Sequence, residues 1–294
     1  MGIQVAVAIP TYNREAVLIA TISQVLAQSP PADEVLVIDQ SESHATETER
    51  ALKDWQAQGA IRYVRHAPPN LPGARNKALR ETTCDIVIFI DDDVDLRDGF
   101  VGSHLRNYLL EPTVVAVAGR ASQRLGWPRR RRPRRWRPSL DYLFFDFNSA
   151  ERKEGIGAFC GGNHSVRRKE ILKLGGYDEA FEGTALREES DLALRVIAAG
   201  GKIIFEPNAY LHHLAVPSGG CRVQEWGDLS AARSVLRFAS KHWRTLGWYA
   251  IREVWLAYRL GVMNRANLRR PTALLASTIR LSRLLLRLGK ETVR

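Results

Sequence analysis

Cysteine is scarce in this chain: Cys84, Cys160 and Cys221 are an odd, scattered set with no Cys-x-x-Cys spacing. That excludes a disulfide framework or a structural zinc site as the organising feature and fits a reducing compartment. No uninterrupted apolar stretch reaches the length of a membrane-spanning helix. The opening residues run straight into the strand-like Ile3–Ile9, without a basic region, an apolar core or a cleavage site. A secretory leader is therefore not expected, and a cytoplasmic setting is. Negative charge is in deficit: 43 Lys and Arg stand against 32 Asp and Glu, a net charge of +11. Such a balance favours a polyanionic partner, whether nucleic acid, anionic lipid or a phosphorylated substrate. What is plentiful is apolar residues, 45% of 294, enough to bury a large core in one big α/β domain or two smaller ones.

The stretch that organises the chain is Asp85-Ile86-Val87-Ile88-Phe89-Ile90 followed by Asp91-Asp92-Asp93-Val94-Asp95. A short, β-branched apolar run reads as a strand buried on both faces. Three adjacent carboxylates at its carboxyl end repel one another unless a cation sits among them, and a hard divalent ion prefers such oxygen ligands. The crevice beyond the strand ends is also where open α/β sheets bind ligands. Alone, the same acids also read as a solvated turn after a core strand.

Around this stretch strands and helices alternate. Strands are predicted at Ile3–Ile9, Val35–Asp39, Ile61–Val64, Ile86–Ile90, Val114–Ala118 and Lys202–Phe205, with helices over Ala16–Leu26, Pro72–Leu79, Phe100–Leu110, Lys169–Leu174 and Glu189–Ala199. The rhythm argues for a mostly parallel sheet flanked by helices. The proline-punctuated basic run from Trp127 to Pro138 reads as an exposed loop. From Asp228 the pattern is helical: Trp248, Ile251, Trp255 and Tyr258 share one face, Leu274, Leu281, Leu285 and Leu288 another, beside an arginine stripe at Arg280, Arg283 and Arg287. Two units follow, 1–227 and a basic amphipathic extension at 228–294, the latter suited to an anionic membrane surface or to packing on the core.

Several motifs in order resemble family 2 glycosyltransferases of the GT-A fold over about residues 4–215. Pro10-Thr11-Tyr12-Asn13-Arg14, Val37-Ile38-Asp39-Gln40-Ser41 and Asn70-Leu71-Pro72-Gly73-Ala74-Arg75-Asn76 match the family's nucleotide-binding segments, and Asp91-Asp92-Asp93 its DxD-like motif. Gly161-Gly162-Asn163, followed by Gly175-Gly176-Tyr177-Asp178, resembles the acceptor-side segment, and Glu188-Glu189-Ser190-Asp191 the segment with the base. The resemblance implies an inverting, metal-dependent transfer of a sugar from a nucleoside diphosphate to an acceptor hydroxyl. The acceptor would be a saccharide or a lipid-linked intermediate of surface-polysaccharide or glycolipid synthesis.

It also implies roles. Tyr12 would offer a face to a nucleobase and Asp39 an acceptor for a base N–H, favouring UDP or dTDP, while Arg75 would serve a diphosphate or hold a pocket carboxylate. Asp92 would lie on the ribose side and Asp93 would bind Mg²⁺ or Mn²⁺, with Asp91 one register step away. Glu189 aligns with the general base and Glu188 is the alternative; the family commonly has Glu-Asp here. His213 falls in the register of a metal or diphosphate ligand and His212 one step off, while Arg222 on the Pro217–Arg222 loop could reach the diphosphate. Asp191 and Arg195, four apart, read as a structural ion pair. Two other readings stand beside this one. One is a nucleic-acid binder using Arg129–Arg137 with Trp127 and Trp136. The other is a sugar nucleotidyltransferase, which would want a glycine-rich, lysine-bearing loop where this chain has Pro10-Thr11-Tyr12-Asn13.

Overall fold

The computed structural model describes residues 2–123, 137–220 and 227–263. Period-two alternation in the first strands builds the core. In β1 (Val5–Thr11), Val5, Val7 and Ile9 face one side of the sheet and Ala6 and Ala8 the other. In β4 (Ile86–Ile90), Ile86, Ile88 and Ile90 likewise oppose Val87 and Phe89. The first face packs on α1 (Ala16–Leu26) through Leu18, Ile22 and Val25, and on α4 (Phe100–Leu110) through Phe100, Val101 and Tyr108. The second packs on α3 (Leu71–Glu81) through Ala74, Ala78 and Leu79, and on α7 (Glu188–Ala198) through Leu192, Ala193 and Val196. Each fully buried Ile, Leu or Phe contributes about 1.5–3 kcal/mol relative to exposure, so a sheet covered on both faces is the dominant source of stability.

Among the described residues the sheet has nine strands, ordered β3-β2-β1-β4-β8-β6-β9-β5 with β7 (Lys153–Glu154) paired to β9. Here β2 is Glu34–Asp39, β3 Arg62–Arg65, β5 Val94–Leu96, β6 Val114–Gln123, β8 Asn163–Arg167 and β9 Lys202–His213. The expected parallel pairing holds from β3 to β4. Beyond β4 the sheet is mixed, because β8 runs antiparallel between β4 and β6 while β6 and β9 are again parallel. The parallel half brings Thr11, Asp39 and Ile90 to one edge, so the turns after β1 and β4 open into a common crevice.

β5 is too short for its periodicity to be read from sequence. It nevertheless sets the site, because its antiparallel register pairs Val94 with His213 at the end of β9. That pairing carries the imidazole to the acids preceding Val94.

The helices α8 (Gly227–Leu246) and α9 (Tyr249–Gly261) pack together and onto the sheet domain. Ala232, Val235, Leu236 and Ala257 form a small core between them. Charge completes the attachment: Arg237 donates to both oxygens of Asp178 at 2.9 and 3.0 Å, and Lys241 and His242 reach Asp191 of α7 at 2.7 and 2.8 Å. Asp191 also takes the Arg195 ion pair anticipated from the four-residue spacing, at 2.9 Å. Burial works to raise the Asp191 carboxyl, but the hydrogen bond from His242 and the charges of Arg195 and Lys241 hold it well below the ordinary range. Among the described residues no helix is long and apolar enough to cross a membrane. Residues 127–136 of the basic run, Arg222 and the leucine-and-arginine stretch at 274–288 lie outside the described residues.

Candidate active site

At the carboxyl edge of β1 and β4 lies a cleft of about 280 Å³ lined by Pro10, Thr11, Tyr12, Arg14, Arg75, Asp91, Asp92, Asp93, Gly162, His213 and Glu189, among others. The three aspartates divide the labour. Asp92 is turned inward: its Oδ2 accepts from Thr11 Oγ1 at 2.7 Å and its Oδ1 from Arg14 Nε at 3.1 Å. Burial, the dominant influence, pushes its carboxyl up to about 7 despite Arg14 and Thr11.

Asp93 is also buried, but His213, Arg14 and a backbone N–H surround it. His213 Nε2 stands 3.1 Å from Oδ1, while Arg14 Nη2 at 3.2 Å and the Val216 N–H at 2.9 Å reach Oδ2. Burial works to raise this carboxyl, and the hydrogen bonding and charge of His213, Arg14 and Val216 outweigh it, leaving Asp93 below its ordinary value. Asp91 is the open one, its side chain 39% exposed and its Oδ2 3.6 Å from the same imidazole nitrogen. Asp91, Asp93 and His213 thus present two carboxylates and an imidazole within 4.8 Å of one another. This donor set fits Mg²⁺ or Mn²⁺, whose preference is for carboxylate oxygens with an imidazole tolerated.

Opposite stands the start of α7. Glu188 is buried and ion-paired with Arg75 of α3, whose Nη2 also donates to Gly161 O at 2.8 Å. Arg75 therefore holds a pocket carboxylate, the second of the two jobs its chemistry allows. Glu189 is half-buried in the cleft wall, and burial raises its carboxyl above the ordinary value. A carboxylate so placed is a stronger base than one in water.

Two consecutive glycines separate the clusters. A Cβ on Gly161 would lie 4.0 Å from Glu189 Cγ, and one on Gly162 would fall 2.1 Å from Asp91 Oδ2. Only a hydrogen at residue 162 lets Asp91 occupy its place, which gives that glycine a spatial reason.

Residues 214–220 are tied to the turn after β1, and Gly220 lines the cleft. Arg14 Nη1 donates to the carbonyls of Val216, at 3.4 Å, and Ser218, and the Gly220 N–H donates to Tyr12 O at 2.7 Å. Gly219 sits at φ +76°, where a Cβ would meet Asn13 O at 2.3 Å.

Four expected residues lie elsewhere. Asn163 is fully buried in the sheet, its Nδ2 donating to Arg120 O and Ala209 O at 2.8 and 2.9 Å and its Oδ1 accepting from His104 Nε2 at 3.1 Å. It clamps β8 to β6 and β9. His212 points to the opposite face of β9 from His213, with Nδ1 2.8 Å from Ser122 Oγ, so the metal reading belongs to His213 alone.

Asp39 and Ser41 lie behind the cleft wall. The Asp39 carboxylate is fully buried and accepts Ser41 N–H at 2.9 Å, His44 Nε2 at 2.9 Å, Tyr63 OH at 2.5 Å and Arg65 Nη1 at 2.6 Å. Burial acts to raise it, and the bonds from Ser41 and Tyr63 with the His44 charge hold it low. Tyr63, Arg65 and His44 come from β3 and the turn after β2, and no local sequence pattern marks them. Nor does any pattern mark Thr184, Ala185 and Leu186, which line the cleft beside Glu189.

With this geometry in view the comparisons are decisive. Residues 6–175 match the family described as Glycosyl transferase family 2. The chain belongs to that family. It is 25% identical over 224 residues, 71% of this chain and 69% of the relative, to the glucosyl-dolichyl phosphate glucuronosyltransferase of Haloferax volcanii. It is 24% identical over 214 residues to the O-antigen chain rhamnosyltransferase RfbN of Salmonella typhimurium, spanning 71% of this chain and 66% of that one. Its fold is GT-A. GalNAc-T7 with UDP, GalNAc and Mn²⁺ superposes with a TM-score of 0.63 at 16% identity, covering 92% of this chain and 54% of that one. The mannosyltransferase PcManGT from Pyrobaculum calidifontis with GDP-Man and Mn²⁺ gives 0.60 at 20% identity, covering 99% and 81%. This family 2 glycosyltransferase carries its candidate metal ligands and candidate base in the lining of one cleft.

Proposed function

We propose that the chain moves a sugar from a nucleoside-diphosphate donor to an acceptor hydroxyl by a single, inverting displacement. One observation carries the reading: Glu189 and the Asp91–Asp93–His213 cluster share a cleft, separated by the glycine pair at 161–162. A divalent ion held by Asp91, Asp93 and His213 would supply charge stabilisation to the departing diphosphate. Glu189 takes the acceptor proton, its basicity raised by burial; Arg75 pairs with Glu188 and holds it out of the reaction; Arg14 fixes Asp92 and Asp93 so the ligand oxygens stay aimed. A UDP or dTDP donor rests on Asp39, whose carboxylate would have to exchange one of its four protein donors for a base N–H. A saccharide or lipid-linked acceptor, at an anionic membrane surface, agrees with the two curated relatives, whose names specify a dolichyl phosphate glycolipid and an O-antigen chain.

The test is thermal-shift screening against UDP-, dTDP- and GDP-sugars with and without Mn²⁺, since a ligand of the folded state raises apparent stability by mass action. The anomeric configuration of the product is then read by NMR. Stabilisation by a nucleotide sugar that requires the ion supports the reading; a retained anomeric configuration, or no metal-dependent shift with any donor, would sink it.

A further inference from the structure

Seven of the ten large apolar side chains most exposed among the described residues fall in the short span 243–263: Trp243, Trp248, Ile251, Val254, Trp255, Tyr258 and Met263. They are not scattered. Trp248 (86% exposed), Ile251, Trp255 and Tyr258 follow three- and four-residue steps along the outer side of α9, whose inner side buries Glu253, Ala257 and Gly261. The charge around them has one sign. Arg244, Arg252 and Arg259 are its cations beside Lys241, and Glu253, the single acid of 241–263, is fully buried and paired with Arg187 at 3.1 Å. Arg259 and Arg244 lie over the rings of Trp255 and Trp243, 5.0 and 5.2 Å from their centroids. Such tryptophan–arginine pairs match the boundary of an anionic bilayer, where the ring enters the headgroup layer and the guanidinium meets phosphate.

We propose that the outer face of α9, with Trp243 of α8, is a docking surface for an anionic lipid bilayer. The chain inserts Trp248, Ile251 and Trp255 at headgroup depth, without spanning. The same helix is tied inward to the reaction: Glu253 grips Arg187, the residue directly before Glu188 and Glu189. A lipid-linked acceptor lying in the bilayer thus meets the cleft across one helix. This deepening rests on the transferase reading for its purpose, while the surface itself is tested independently of turnover.

The test is flotation of the full chain with phosphatidylcholine vesicles and with vesicles containing phosphatidylglycerol, comparing the parent with the triple variant Trp248→Ser, Ile251→Ser, Trp255→Ser. All three positions are exposed, so folding is checked simply by circular dichroism and by donor-induced thermal shift. The expected result is binding to the anionic vesicles, at least roughly tenfold weaker in the triple variant, with the donor shift unchanged. Equal binding of parent and variant would overturn the proposal, as would no binding of the parent. So would a parent dimer in sedimentation that the variant loses, which would give the face to a second copy. Loss of the donor shift in parent and variant alike, with flotation as expected, would instead count against the transferase reading alone.

Discussion

The two acid clusters facing the cleft are built on the same plan with different materials. In each, an arginine from the first half of the chain grips the acids: Arg14 holds Asp92 and also reaches Asp93, and Arg75 holds Glu188. In each, a neighbour is left facing the cleft: Asp91 with Asp93, and Glu189. The difference lies in what surrounds the neighbour. Asp93 is ringed by an imidazole, a guanidinium and a backbone N–H that favour its charged form, whereas burial at Glu189 favours its neutral form. A ligand for a cation must stay ionised, and a base must want a proton; the surroundings suit chemically similar groups to the opposite tasks proposed for them.

Breaking the first cluster should have the largest effect. Asp93→Ala should lower turnover by about 10³-fold or more and abolish any Mn²⁺-dependent thermal shift, checked by nucleoside-diphosphate release and by calorimetry. Glu189→Gln should lower kcat by about 10²- to 10⁴-fold and leave donor affinity intact. In the parent, kcat/KM should rise with pH through an inflection above the ordinary glutamate value, and the Gln variant should lack that limb.

Arg75→Met leaves Glu188 buried without its partner and should cost about 3–5 kcal/mol in denaturant unfolding. The double variant Arg75→Met, Glu188→Leu should recover most of it, because both buried charges are gone; a double variant as unstable as the single one would contradict the pairing.

The smallest effect sharpens the contrast between these charged pairs and the neutral polar network under β8. There the Tyr108 hydroxyl bonds Ser165, Ser165 Oγ meets His104 Nδ1, His104 Nε2 donates to Asn163, and burial holds this imidazole down at about 4. An unfolded histidine titrates near 6.5, so between about 6.5 and 4 the unfolded chain binds the extra proton. Stability is therefore fully present above that window and is lost as pH falls through it. His164, buried and also held low, adds in the same direction. Melting temperatures from pH 7.5 to 4.5 should show the decline, with a shallower slope in His104→Gln.

Much of this architecture is legible in the sequence, for identifiable reasons. The strands β1, β2 and β4 and the helices α1, α3 and α4 announce themselves through local periodicity. What escaped reading depends on register between distant strands. The three-residue β5 carries no period of its own yet fixes His213 beside Asp93. Asn163 follows two cleft-side glycines, but one step of strand alternation turns it into the sheet. The enclosure of Asp39 needs residues from β3, which no pairwise pattern within β2 could reveal.

The grip of α8 on Asp178 and Asp191 bears on how the enzyme should be handled. Shortening the chain to its first 227 residues would strip Lys241 and the His242 hydrogen bond from an aspartate with no exposed surface, leaving Arg195 as its ionic partner among the described residues. A truncated preparation would report on an α7, the helix of the candidate base, that had lost its anchorage, so substitution rather than excision is the sound way to separate the proposed lipid attachment from sugar transfer.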